Sequence, residues 1–156
     1  MRSLAIVALL LWSCAGIAAA ADQTAATPAS AISGNPKPTF DQPRKVVLSL
    51  SERDPARINE VLSNIGNIQK YYGADYVRIA LVAYGPGIRA VLTSDSSVKP
   101  RIAGLVAIGV EVLACGATLE SLRKNADDVL PGVRVVPNGI PELVERQLAG
   151  WIYVRP

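Results

Sequence analysis

The sequence predicts an α/β three-layer sandwich on a mainly parallel five-stranded sheet, and three observations lead there. Short β-branched runs alternate with stretches whose apolar residues recur every three or four positions, and such alternation builds parallel strands joined by crossover helices. The run Tyr76 to Tyr84 is almost unbroken in Val, Ile, Leu and Ala apart from Arg78, as expected of a central strand covered on both faces. Finally, the chain is long enough for one domain with one core.

Residues 1 to 21 carry Arg2, the apolar run Leu4 to Leu11, and small residues ending Ala19-Ala20-Ala21. This reads as a secretory signal peptide and not a membrane span, so the mature protein is expected to be exported, with the periplasm as its compartment. Leu11-Trp12-Ser13-Cys14 is a lower-ranked alternative, a lipoprotein box with bulky Trp12 where a small residue is usual. Cleavage after Ala21 would leave 135 of the 156 residues and lower the formal charge from +3 to +2 by removing Arg2. Residues 22 to 43, rich in Ala, Thr and Ser and interrupted by Pro28, Pro36, Pro38 and Pro43, read as a flexible linker. The domain is expected over 44–156.

Lys45 to Leu50 forms the first predicted strand. Asp54 can cap a helix with Pro55 in its first turn, where a missing N–H costs least. Ile58, Val61, Leu62, Ile65 and Ile68 give that helix one apolar face, and Gly73 ends it. The second strand, Tyr76 to Tyr84, stops at Gly85-Pro86-Gly87, after which Ile88 to Leu92 suits a short helical piece. Ser96 or Ser97 is placed to cap a helix bearing Ile102, Leu105 and Val106 that closes at Gly109. The third strand runs from Val110 to Cys115. Thr118 to Lys124 then reads as helix, Asn125 to Leu130 as a turn, and Val133 to Val136 as the fourth strand. Asn138 or Gly139 leads into a helix with Ile140, Leu143, Val144 and Leu148 on one side, stopped by Gly150 before a last strand, Trp151 to Val154. In such a sheet the ligand crevice opens at the carboxyl ends of the strands, where Ser51–Asp54, Tyr84–Arg89, Cys115–Thr118 and Pro137–Gly139 fall.

The chain has no histidine and two cysteines. No Ser-His-Asp or Cys-His pair can form, nor an imidazole metal site, and a mature chain with one cysteine cannot build a thiolate cluster. No metal or other cofactor is expected. Basic and acidic residues are interspersed without a basic run, which argues against a nucleic-acid partner. The thiol that would outlast processing, Cys115, ends an apolar strand, and a following helix N-terminus with Gly116 and Thr118 in its first turns can stabilise a thiolate. The bland alternative is a buried cysteine packing as a small hydrophobe. Gly85-Pro86-Gly87 with Arg89 can cradle an anion or be an ordinary tight turn. Glu111 and Arg101 could pair or stay solvated, and Asp127-Asp128 reads as a surface turn.

Lys45-Val46-Val47-Leu48, the strand Val77 to Tyr84 ending in Gly-Pro-Gly, Ala114-Cys115-Gly116-Ala117-Thr118-Leu119 and the tail Leu130-Pro131-Gly132-Val133 through Gly150-Trp151 and Tyr153 together resemble the DsrE/DsrF-like family. The resemblance covers about residues 44 to 156. It implies a DsrE-like α/β domain, assembly into homotrimers or hexamers, and a sulfur-relay role in which Cys115 carries a persulfide between donor and acceptor proteins. Gly85, Gly87, Arg89, Gly116 and Thr118 would then contact the donor, Arg89 helping to hold an anion such as thiosulfate. Ala117 stands where relatives of this type commonly show Asn, and Tyr84 where they often show His, so an orienting amide and an imidazole are missing. The rival reading is a non-enzymatic oligomer that binds a small anion or partner and has a structural cysteine. A redox-sensing thiol is a third, without a resolving cysteine in the same mature chain.

Overall fold

In a computed structural model of the chain, which describes residues 36–156, five strands run in one direction in the order β4-β3-β2-β1-β5. They are β1 (Arg44–Leu50), β2 (Val77–Ala83), β3 (Glu111–Cys115), β4 (Arg134–Val136) and β5 (Ile152–Val154). All four pairings are parallel, with Val47 opposite Ala80 and Tyr153, and Ala114 opposite Val135. The expected signal segment and the linker as far as residue 35 lie outside the described residues.

The helices are α1 (Pro55–Tyr72), α2 (Lys99–Ala107), α3 (Gly116–Ser121) and α4 (Gly139–Leu148). Three successive connections, from β1 to β4, step the same way along the sheet, so right-handed crossovers put α1, α2 and α3 on one face. The connection from β4 to β5 returns past β3, β2 and β1, and the same handedness sends α4 to the other face. The core divides accordingly. Ile58, Val61, Leu62 and Ile65 of α1, Ile102 and Leu105 of α2 and Leu119 of α3 pack with Leu48, Leu81 and Val112 on the first face. Leu143 of α4 packs with Val47, Ala80, Val82 and Leu113 on the second. Each fully buried aliphatic side chain of this kind contributes roughly 1.5–3 kcal/mol, so the first face holds most of the apolar stabilisation.

Local chemistry sets the helix ends. Asp54 accepts the Ala56 N–H at 3.0 Å with Pro55 beside it, and Gly73 closes α1 at φ 89°. Ser96 behaves differently from the predicted cap. Its hydroxyl accepts the Val98 N–H at 3.2 Å and donates to the Ala90 carbonyl at 2.6 Å, so it ties the entry of α2 to the preceding turn. The segment Gly85–Val91 forms a 3₁₀ turn that begins three residues before the predicted piece. Gly87 within it lies against the Leu50 carbonyl and Ser51 so closely that any Cβ would collide with backbone.

Helix α4 departs most from expectation. Of Ile140, Leu143, Val144 and Leu148, only Leu143 is buried; the other three are half or more exposed, or nearly so, at 50, 48 and 78 %. A ten-residue helix packed flat on the sheet can turn one narrow stripe inward, and polar anchoring decides which. Arg146 of α4, its side chain largely buried, bonds Glu111 of β3 at 2.9 Å and Glu142 at 2.7 Å and stacks on Trp151 at 4.4 Å. Glu111 also pairs with Arg134 at 2.5 Å. Arg101, considered as its partner from the sequence, instead reaches Asn59 and Ser63.

Candidate functional site

The carboxyl ends of β3 and β4 lie side by side, yet their following helices diverge to opposite faces of the sheet. Such a reversal opens a crevice in parallel α/β sheets. Cys115 is the last residue of β3 and the N-cap of α3, which starts at Gly116, two residues earlier than predicted. Its side chain is buried, 4 % exposed.

Donors converge on the sulfur from both diverging helices. The Gly139 N–H, at the first position of α4, points to Cys115 Sγ at 3.1 Å. The Thr118 hydroxyl and the N–H groups of Thr118 and Ala117 act from α3. Burial pushes the thiol pKa up and is the largest single influence; the Thr118 hydroxyl, then the Gly139, Thr118 and Ala117 amides, together outweigh it and hold the thiol below its ordinary value. Hydrogen bonds to the charged form favour that form, and here they exceed the desolvation they oppose.

Thr118 has its orientation fixed by a second contact. The Gly85 N–H bonds Thr118 Oγ1 at 3.1 Å. An amide N–H can only donate, so the hydroxyl accepts there and keeps its proton for the sulfur. This contact couples the turn after β2 to the thiol.

Gly139 is needed for close approach. A Cβ there would lie 3.0 Å from Tyr84 Cβ and 3.2 Å from Cys115 Cβ, displacing the amide from the sulfur. Gly116 serves the neighbouring packing: a Cβ would meet the Val136 and Pro137 carbonyl oxygens at 3.0 and 3.2 Å. The Ala117 N–H also donates to the Pro137 carbonyl at 3.1 Å, locking α3 to the β4–α4 loop. Tyr84, where an imidazole is absent, packs against both core layers at the seam between them.

Beside Thr118 lies a cavity of about 290 Å³ lined by Gly85, Pro86, Arg89 and Thr118 together with Arg53, Ser121 and Leu122. The structure therefore brings Gly85, Arg89 and Thr118 together. Gly87 and Gly116 stand apart from this lining in the packing contacts described above. Arg89 pairs with Asp95 at 2.6 Å. Two participants escaped the sequence reading as individual residues. Gly139 was legible only as a helix start, because its partner is 24 positions away, and Arg53 only as part of a strand-end segment. Among the described residues no cluster of His, Cys, Asp and Glu is arranged to hold a metal ion.

A model of the DsrE/DsrF-like family matches residues 45–156. Among solved structures, protein MTH1491 of Methanobacterium thermoautotrophicum, described as of unknown function, superposes with a TM-score of 0.69 at 35% identity, over 72% of this chain and 99% of that one. The ychN protein of E. coli superposes with a TM-score of 0.63 at 13% identity over the same shares, 72% and 99%, a likeness of fold. No curated protein matches the chain.

The donor set predicts a graded response at Thr118. Thr118→Val removes the hydroxyl proton and leaves the Gly85 N–H without its acceptor, so the pH midpoint of Cys115 alkylation rises. Thr118→Ser keeps the hydroxyl and keeps the midpoint near that of the native chain. Equal midpoints for native and Thr118→Val proteins would contradict the assignment.

Proposed function

The chain belongs to the DsrE/DsrF-like family, and on that premise we propose that it carries sulfane sulfur as a persulfide on Cys115. The observation that supports this reading is the donor set around a single sulfur: three backbone amides and one hydroxyl favour its anion. A thiolate is the attacking species in sulfur transfer. It attacks a sulfane sulfur, a new S–S bond forms, and the donor's bond to that sulfur breaks with its electron pair. The persulfide anion that results keeps one negative charge. Delivery repeats the exchange, with an acceptor thiolate attacking the outer sulfur and Cys115 leaving as thiolate. No histidine is needed, because no proton is transferred in either exchange.

A second reading has one observation in its favour. The 4 % exposure of Cys115 suits a structural cysteine in a protein that binds a small anion or a partner. The two readings separate on sulfur loading. After treatment with inorganic polysulfide and removal of excess reagent, intact-mass analysis of the native chain is expected to show one added sulfur, released by a thiol reductant and absent from Cys115→Ser. A native chain that stays unmodified, with its thiol still titratable, would leave the structural reading.

The proposal extends to assembly as a homotrimer or hexamer. Ile140, Val144 and Leu148 form an exposed apolar row on α4, and Ile152 is exposed on edge strand β5. One short helix covers the second sheet face, so a neighbouring subunit has apolar surface to bury there. Light scattering is expected to return an oligomer for the native chain and a lower mass for Leu148→Glu; a native monomer at all concentrations would defeat it. We also propose export, supported by the Arg2, Leu4–Leu11 and Ala19–Ala21 pattern. Amino-terminal sequencing of the chain from expressing cells should then begin after Ala21, and an intact Met1 terminus would defeat it.

A further inference from the structure

Strand β3 and helix α4 meet at three points, and their periods match. Glu111, Leu113 and Cys115 alternate by two and so fall on one side of β3, while Gly139, Leu143 and Arg146, at i, i+4 and i+7, form one stripe of α4. The Gly139 N–H points to Cys115 Sγ at 3.1 Å, Leu113 and Leu143 share one buried cluster, and Arg146 bonds Glu111 at 2.9 Å. The helix thus runs opposite to the strand, and the spans agree: four strand steps cover about 13 Å and seven helical steps about 10.5 Å. One end of this contact carries the donor to the sulfur, and the other an ion pair.

The middle contact cannot set the register alone. Ile140, Val144 and Leu148 face outward, which leaves Leu143 as the apolar side chain by which α4 grips the sheet. Apolar attraction is non-directional, so one leucine holds the helix down without fixing its position along the strand. A slide of one helical rise, about 1.5 Å, would lengthen and misalign the Gly139 contact with the sulfur.

Arg146 supplies the missing direction. Its side chain is 12 % exposed; Nε bonds Glu142 within the helix at 2.7 Å, and a terminal nitrogen bonds Glu111 across to the sheet. A planar guanidinium fixes orientation as well as distance. Trp151 closes the other side, its ring centroid 4.4 Å from the guanidinium carbon and its backbone N–H donating to the Arg146 carbonyl at 2.9 Å. Glu111 has a further, exposed partner in Arg134 of β4. The groups around the sulfur itself, Ala117 and Thr118 from α3, Gly139 from α4 and Tyr84 after β2, bring no charged side chain. Arg146 therefore reaches the thiol through the helix and not by its own field.

We propose that Arg146 is a positioning residue for the thiol: through Glu111 it fixes α4 on β3 at the register that delivers the Gly139 N–H to Cys115. The inference deepens the sulfur-carrier reading, on which it rests for its part in transfer, and adds a residue at the far end of α4 to the same site. Loss of the clamp frees the Gly139 end and weakens a donor to the charged sulfur, which moves the balance toward the neutral thiol.

Amide spectra of the isotope-labelled, thiol-reduced chain read the contact directly. In the native chain the Gly139 N–H resonance is expected to move with the same pH midpoint as Cys115 alkylation, because its acceptor is the ionising sulfur. In Arg146→Met and in Glu111→Ala that movement is lost and the alkylation midpoint rises, while Arg146→Lys, which keeps the charge without the fork, gives values between. Arg134→Gln removes the other partner of Glu111 and keeps both readouts native. Two clamp variants are used so that a folding failure in one leaves the other to decide. Native behaviour of Gly139 and of the midpoint in either folded variant would overturn the proposal, and so would equal changes in Arg134→Gln, which would assign the effect to surface charge. Sulfur loading from polysulfide separates the two readings. A native chain that does not load, with the clamp variants still losing the Gly139 movement, defeats the carrier reading and leaves the positioning role; a native chain that loads, with both clamp variants unchanged, defeats the positioning role alone.

Discussion

The reversal of chain direction across the sheet after β4 is the constraint on which the site depends. Three connections step one way, and the fourth returns across the sheet. With right-handed crossovers, α3 and α4 must leave adjacent strand ends toward opposite faces. Cys115 is at that fork, so it receives the Thr118 and Ala117 donors from one helix and the Gly139 donor from the other. The close approach needs two small residues, Gly116 against the β4–α4 loop and Gly139 against the β3 end. Farther along α4, Arg146 fixes the helix to Glu111 and Trp151. That anchoring holds the helix in place on the sheet, and the first amide of α4 with it.

Burial and hydrogen bonding act on the same sulfur in opposite directions. A cysteine this enclosed would ordinarily be an inert thiol with a raised pKa. Here four donors reverse the sign, and one of them, the Thr118 hydroxyl, does so because the Gly85 amide has already taken its acceptor side. The result is a sulfur sheltered from bulk solvent whose charged form is favoured by fixed dipoles. In a chain without histidine, the amides and the hydroxyl favour the thiolate by donating to it, with no imidazole to take the thiol proton.

Much of the fold could be read from residue patterns because the decisive signals are local. Val77 to Ala83 is apolar on both faces, Asp54 and Pro55 mark the start of α1, and Gly73 marks its end. The position of Cys115 at a strand-to-helix junction was legible for the same reason. What was not legible depends on contacts distant in sequence. The Gly139 amide reaches the sulfur only once β3 and β4 are paired, and the Gly85–Thr118 bond needs the turn after β2 beside α3. The outward row on α4 misled because helical spacing identifies an apolar stripe without saying whether the sheet or a neighbouring surface covers it. Ile140, Val144 and Leu148 are left outside while Leu143 alone meets the sheet.

The central claim is that Cys115 is held as a thiolate by donors from both helices. Its most direct test is a pH titration of thiolate ultraviolet absorbance in the native chain, with Cys115→Ser subtracted to remove every other titrating group. One difference transition is expected, centred below the ordinary thiol value. A transition at or above that value would contradict it, since burial would then have prevailed over the converging amides and hydroxyl.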